Sequence, residues 1–192
     1  MSKYTCLKKQ IFKRGNLSIV PIRHEDQFNI MDWRNEQIYH LRQNKILTKK
    51  NQEDYFRNVV EKLFHDKNPS QIIFSYLEDG VCIGYGGLVH INWIDRKGEM
   101  SFLLDTALKS SKPAYENYFS KFIILLKEAA FDDIGMNRIY TETYSFRTAH
   151  IGILEKNNFI LEGCMKEHIY MKKEDKYYDS LLHGCLKKNY GR

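Results

Sequence analysis

The chain has 192 residues, 43% of them hydrophobic and 14% aromatic, which is enough for one globular domain with a large-side-chain core. No apolar run approaches the roughly 20 residues of a membrane span, and the basic start MSKYTCLKKQIFKRG lacks the apolar stretch of a secretory signal. The net charge of +6 favours an anionic partner, such as a phosphate-bearing cofactor or substrate. No basic run interleaved with aromatics points to nucleic acid. Cys6, Cys82, Cys164 and Cys185 are widely spaced with no C-x-x-C pair, so they read as reduced thiols of a cytoplasmic protein, with no metal site.

Residues 1–16 read as an N-terminal extension and residues 17–188 as a single domain. Leu17–Arg23 is a short strand, with Pro21 marking an edge or a bulge. A helix follows from about Glu25, and the polar, aromatic stretch Trp33–Lys45 holds Arg34, Asn35, His40 and Arg42. Asn51–Phe64 is a second helix, with apolar residues at Tyr55, Phe56, Val59, Val60, Leu63 and Phe64, closed by Asn68-Pro69. Gln71–Glu78 and Val81–Trp93 form a hairpin through Asp79-Gly80. Gly84, Gly86 and Gly87 within the second strand predict a close backbone approach or a bulge. Glu99–Leu104 is the next strand, Asp105–Lys112 a loop, and Pro113 sits where a proline suits the start of a helix. Phe119, Phe122, Ile123, Leu126, Ala130 and Ile134 then recur at helical spacing up to a Gly135 cap. Free N–H groups at such a helix start suit a phosphate. Asn137–Ser145 is a strand, Arg147–Lys156 a short helix, and Asn157–Met171 and Tyr177–Lys188 the last two strands.

Five stretches sharpen this order: GYGGL (Gly84–Leu88), GEMSFLL (Gly98–Leu104), AAFDDIGMNRIYTETYS (Ala129–Ser145), ILEKNNFILEG (Ile153–Gly163) and KYYDSLLHGCL (Lys176–Leu186). In this order they resemble the GCN5-related N-acetyltransferase (GNAT) superfamily over roughly residues 17–188. The branch resembled is the one that acetylates ribosomal-protein N-termini and bacterial amino sugars. DWRN (Asp32–Asn35) is similar to the first-helix signature of bacterial nucleotide-amino-sugar acetyltransferases. The resemblance implies an α/β fold with a central mixed, mostly antiparallel seven-stranded sheet, a splayed parallel pair (Glu99–Leu104 and Arg138–Ser145) and flanking helices. It implies acetyl-CoA as co-substrate. The pantetheine arm would lie in the wedge against the backbone of Phe102, Leu103 and Leu104, and the pyrophosphate at the helix start near Pro113, with Lys112 as a contact.

Three departures stand out against that resemblance. The family's phosphate loop is rich in arginine and glycine, whereas Leu108–Phe119 has no glycine, and Tyr115 and Asn117 occupy approximately the glycine positions. Lys109, Lys112, Ser110 and Ser111 offer donors and charge in their place. Arg147 replaces an asparagine that contacts the cofactor arm, with His150 in the same short motif, and Leu154 replaces a tyrosine that protonates the leaving thiolate.

Amine acetylation needs a base for the ammonium proton and a donor for the thiolate. Glu99 aligns with the base of several relatives and Tyr144 is placed to be the donor. Trp33, Arg34, Asn35, Tyr85, His90 and His168 are candidate acceptor contacts, with Arg34 suited to a phosphate or carboxylate. The expected function is acetyl transfer by direct attack of a primary amine, the acceptor a nucleotide-linked amino sugar. The alternatives are a protein N-terminus as acceptor, or a non-catalytic binding module with a degenerate phosphate loop. Partners would be a small-molecule amine, no nucleic acid, no membrane, and a second copy in a homodimer through the last strands.

Overall fold

The computed structural model describes residues 2–190. Eight strands form one sheet in the order β1-β2-β3-β4-β5-β6-β8-β7. They are β1 Phe12–Arg14, β2 Leu17–Pro21, β3 Ile72–Glu78, β4 Val81–Asn92, β5 Lys97–Leu104, β6 Arg138–Tyr144, β7 Ile160–Met171 and β8 Lys176–Leu186. Every pair is antiparallel except β5–β6. The expected seven strands are therefore eight, because β1 forms inside the segment read as an extension. Lys13 and Arg14 obscured it: an edge strand of three residues needs no apolar alternation, and only Phe12 of β1 is buried.

The same segment is built into the core. Tyr4, Leu7 and Phe12 are buried, and the Tyr4 hydroxyl bridges the Ile73 carbonyl and N–H at 3.0 Å each. The N–H groups of Lys8 and Lys9 donate to the Asp133 carboxylate at 2.8 and 3.0 Å. Met1 lies outside the described residues.

Helix α1 (Gln27–Glu36) follows a 3-10 turn and leads through a second one, Ile38–His40, into the loop before α2 (Lys49–Tyr55). A reciprocal Thr48–Asn51 capping box starts α2, which runs on through a wide turn into α3 (Glu61–His65). Between β5 and β6 the loop expected at Asp105–Lys112 carries a short helix, α4 (Thr106–Lys109), before α5 (Lys112–Lys127). Phe119, Phe122, Ile123 and Leu126 bury fully against the sheet, and Phe102 of β5 stacks on Phe119 at 4.6 Å between centroids. Each such ring contributes about 1.5–3 kcal/mol by burial. Helix α6 (Thr148–Lys156) packs beside α5 and β7.

The strand glycines serve strand-to-strand packing. A Cβ on Gly86 would stand 2.2 Å from the Ser101 carbonyl oxygen of β5 and 2.8 Å from the Phe122 ring. Asp79 and Gly80 both take positive φ, as a tight hairpin turn requires. Pro21 sits past the end of β1, where its missing N–H costs no pairing.

Candidate active site

The parallel pair touches only at its start, Lys97↔Arg138, Gly98↔Ile139 and Glu99↔Tyr140, and then parts. The Asp105 N–H donates to the Ile83 carbonyl at 2.8 Å, and the β4–β5 register holds unbroken from Leu104 to Glu99. Counting back in twos, the backbones of Leu103, Ser101 and Glu99 face β4. Those of Met100, Phe102 and Leu104 face the opening beside β6. The Leu104 carbonyl there accepts from Gln37 Nε2 at 2.8 Å.

At the point of parting lies a cavity of about 300 Å³, lined among others by Glu99, Glu142, Tyr144, Arg42 and His90. Arg42, on the loop before α2, joins the two carboxylates. Its Nη2 donates to Glu99 Oε1 at 2.8 Å and to Glu142 Oε2 at 2.7 Å, while Nη1 reaches Glu99 Oε2 at 3.2 Å. Burial opposes the Arg42 charge, but the two carboxylates outweigh it and its pKa is raised. Ser180 Oγ donates to Glu142 Oε1 at 2.6 Å. His90 and His168 stand 3.8 and 3.9 Å from Glu99 and Glu142. Tyr144 is 8% exposed, and burial raises its pKa, so its hydroxyl keeps its proton at neutral pH.

A second cavity, about 250 Å³, adjoins the first through Arg34, Val89 and Ser101. Its polar lining is Asn51, Gln52, Gln71, Tyr55, Tyr85 and Ser101, and Arg34 is its sole charged side chain. Arg34 Nη1 donates to the Tyr85 hydroxyl at 2.5 Å and Nε to Gln43 at 2.9 Å.

At the other end of the wedge a cavity of about 520 Å³ gathers Lys109, Lys112, Arg147 and Lys156, with Glu116 as its one carboxylate. Helix α5 starts beside it, and the cap residue Ser111 makes no side-chain bond to the first-turn N–H groups. Lys156 pairs with Glu116 at 2.5 Å, and Lys109 Nζ donates to the Tyr39 hydroxyl at 2.8 Å. Burial lowers the Lys109 pKa. Tyr115 turns inward, its hydroxyl 2.8 Å from His150 Nδ1. Arg147 and His150 line both this cavity and the one at Glu99. His150 is fully enclosed, and burial followed by the Arg147 charge holds its pKa well below the usual value. Burial takes His40 down to about 2, helped by Arg147 and Lys109, and its Nδ1 has no partner.

The residues proposed from sequence divide accordingly. Glu99, Tyr144, His90, Arg34, Arg147, His150 and the Phe102 backbone meet at the Glu99 cavity, with Tyr85 next door. Lys112 and Tyr115 line the basic cavity. Asn117 is exposed and lines none of the three cavities. Trp33 is core, and Asn35 clips the loop by donating to the Leu47 carbonyl and accepting its N–H, at 2.9 and 2.8 Å. The Leu103 backbone faces β4, and His168 touches the site only at the rim of Glu142. Arg42, Glu142 and Lys156 are additions. Glu142 was findable, since strand alternation puts it on the same face as Tyr140 and Tyr144. Arg42 and Lys156 carried no local signal.

A sheet opened at one parallel pair, with free strand amides in the gap and a basic helix start at one end, defines an acyl-CoA-dependent transferase. Residues 19–182 match the family model described as acetyltransferase (GNAT) domain, and the chain belongs to that family; it is an N-acetyltransferase that uses acetyl-CoA. Among solved structures it is similar to spermidine N-acetyltransferase from Vibrio cholerae in complex with CoA and spermine. That match has TM-score 0.78 and 15% identity and covers 93% of this chain and 100% of that one. A dodecameric structure of spermidine N-acetyltransferase from the same organism matches at TM-score 0.73 and 18% identity, over 93% and 98%. A probable GNAT-family acetyltransferase from Chromobacterium violaceum ATCC 12472 matches at TM-score 0.74 and 12% identity, over 100% and 92%. Among the described residues no helix is long and apolar enough to cross a membrane, and no group of His, Cys, Asp or Glu is arranged to hold a metal ion.

Proposed function

We propose that the chain acetylates the primary amine of a nucleotide-linked amino sugar, with Glu99 as general base and Tyr144 as general acid. The observation that carries the chemistry is the buried Glu99 carboxylate at the parting of β5 and β6, beside strand amides that face the gap. Acetyl-CoA supplies an acetyl thioester, and the transfer yields an amide and a CoA thiol. The residues present fit that donor: its phosphates suit the cluster of Lys109, Lys112, Arg147 and Lys156, and its arm suits the gap-facing backbone of Met100 and Phe102. The basic side chains there substitute for the glycines this loop lacks. Glu99 takes the ammonium proton of the acceptor, the Phe102 N–H donates to the acyl oxygen, and the Tyr144 hydroxyl gives its proton to the departing sulfur and takes up the second proton that the nitrogen loses as the amide forms.

The acceptor assignment rests on the cavity of about 250 Å³, whose amide and hydroxyl lining suits a polyhydroxylated ring and whose Arg34 suits an anionic group. A second reading, a polyamine acceptor, is favoured by the paired carboxylates Glu99 and Glu142 and by the spermidine enzymes that share the fold. The test is a panel of UDP- and dTDP-linked amino sugars, spermidine and an N-terminal peptide, incubated with acetyl-CoA and read by mass spectrometry. Acetylation of a nucleotide sugar with kcat/KM above that of spermidine supports the first reading; the reverse order replaces it. The unpaired edge of β7 and the exposed Ile160, Leu161, Tyr170 and Tyr177 support a homodimer through this hairpin, which light scattering tests.

A further inference from the structure

We infer that the Nη2 position of Arg42 is the binding site of the acceptor's ammonium, and that Arg42 is a built-in stand-in which the acceptor displaces. The inference rests on the reading of Glu99 as base and adds the place from which the proton is taken.

The geometry is that of an ammonium site. One nitrogen lies 2.8 Å from a Glu99 oxygen and 2.7 Å from a Glu142 oxygen. The two carboxylates have side chains only 11% and 16% exposed, so neither is well solvated. Two such charges facing one point require a cation there. The nearest other candidates, His90 and His168, are 3.8 and 3.9 Å from the carboxylates, beyond hydrogen-bond distance. A primary ammonium at this point makes the same two bonds and still has a third N–H. Arginine holds the site without reacting, because its guanidinium does not give up a proton to a carboxylate.

Arg42 is also free to leave. Its side chain is 51% exposed, whereas the carboxylates it joins are not. The loop that carries it is fastened independently. Gln43 accepts from Arg34 Nε at 2.9 Å and donates to Asn35 at 3.1 Å, and Asn35 binds both backbone groups of Leu47. Rotation of the Arg42 side chain into solvent therefore opens the site without unfastening the loop. Once Arg42 leaves, the acceptor ammonium gives one proton to the Glu99 carboxylate and becomes the neutral amine, next to the gap-facing amides. Displacing the stand-in is a fixed tax on acceptor binding.

The experiment is calorimetric titration with n-butylammonium chloride of the wild type, Arg42→Ala, Arg42→Lys and Arg42→Ala/Glu142→Gln, each saturated with CoA. Arg42→Gln replaces Arg42→Ala if the latter does not fold. The expected result is binding about tenfold tighter in Arg42→Ala, wild-type binding in Arg42→Lys, and loss of the gain in the double variant. Equal or weaker binding in Arg42→Ala overturns the inference, as does a gain that survives Glu142→Gln. With an identified acceptor, the same variant lowers KM by a similar factor. A higher KM with lower kcat would instead make Arg42 a positioning residue for Glu99 and sink the stand-in. Glu99→Gln keeps the two failures apart: wild-type turnover there removes the base assignment whatever butylammonium does.

Discussion

The two ends of the wedge are held by opposite means. At the acceptor end, the negative charges are few, largely buried and paired: Glu99 and Glu142 share one half-exposed arginine at 2.7–2.8 Å. At the phosphate end, four basic side chains meet one carboxylate, Glu116; Lys112 and Lys156 are exposed, and Lys109 and Arg147 half-buried. A buried pair fixes geometry and responds little to salt, whereas exposed lysines attract phosphate over distance and lose that attraction as ionic strength rises. The difference fits the tasks. Proton transfer needs one group at hydrogen-bond distance, while anchoring a phosphorylated cofactor needs field and tolerates mobile side chains.

The largest expected effect breaks the acceptor end alone. Glu99→Gln lowers kcat by roughly 10²–10⁴ while acetyl-CoA affinity by calorimetry stays unchanged. Tyr144→Phe removes the proposed acid and lowers kcat by about 10², at the bottom of the same range, with KM for acetyl-CoA preserved; steady-state kinetics checks both.

The third prediction concerns the wall between the two ends, where His40 and His150 are buried beside Arg147. Both are depressed below the ordinary histidine value, His40 down to about 2. Between that value and about 6.5 the unfolded chain takes a proton at His40 and the folded chain does not. Stability is therefore full above about pH 6.5 and falls as pH drops. His40 alone accounts for about 2 kcal/mol between pH 7.5 and 5.0. Denaturant melts at the two pH values measure the loss, and His40→Gln should flatten the dependence.

The smallest effect sharpens the phosphate end. Lys112→Ala weakens acetyl-CoA binding about fivefold at low salt, of the order expected for one exposed charge, and the deficit shrinks as salt is raised. A deficit independent of salt would mean that Lys112 acts by shape and not by field.

Much of the fold was legible because it rests on local signals. The helical spacing of Phe119, Phe122, Ile123 and Leu126 gave α5, and Asp79-Gly80 gave the hairpin. The family-like pieces turn out to be packing devices. Leu154 and Phe159 are core, Glu162 pairs with Arg138 across Gly184, and Asp179 accepts the Glu167 N–H at 2.9 Å where β7 bulges. The active-site residues on strands were legible in part, because alternation assigns a face, which covers Glu99 and Tyr144. Asn117 was misplaced because a helix turn of about 100° per residue sends neighbours to different sides: Tyr115 faces inward and Asn117 outward. β1 was missed because one buried side chain in three leaves no period to read.

By itself, the sequence determined the order of the longer elements from β2 onward and the tight turns, since these follow from spacing and backbone preference within a few residues, while the parallel pairing of β5 and β6 was legible only through the resemblance to a family. Only the tertiary structure decided that Arg42 reaches Glu99 and Glu142 from 57 and 100 residues away, that Tyr4, Leu7 and Phe12 belong to the core, and that Lys109, Lys112, Arg147 and Lys156 meet at one cavity. Those contacts join side chains whose neighbours in sequence carry no trace of the pairing, so they exist only once the sheet has closed.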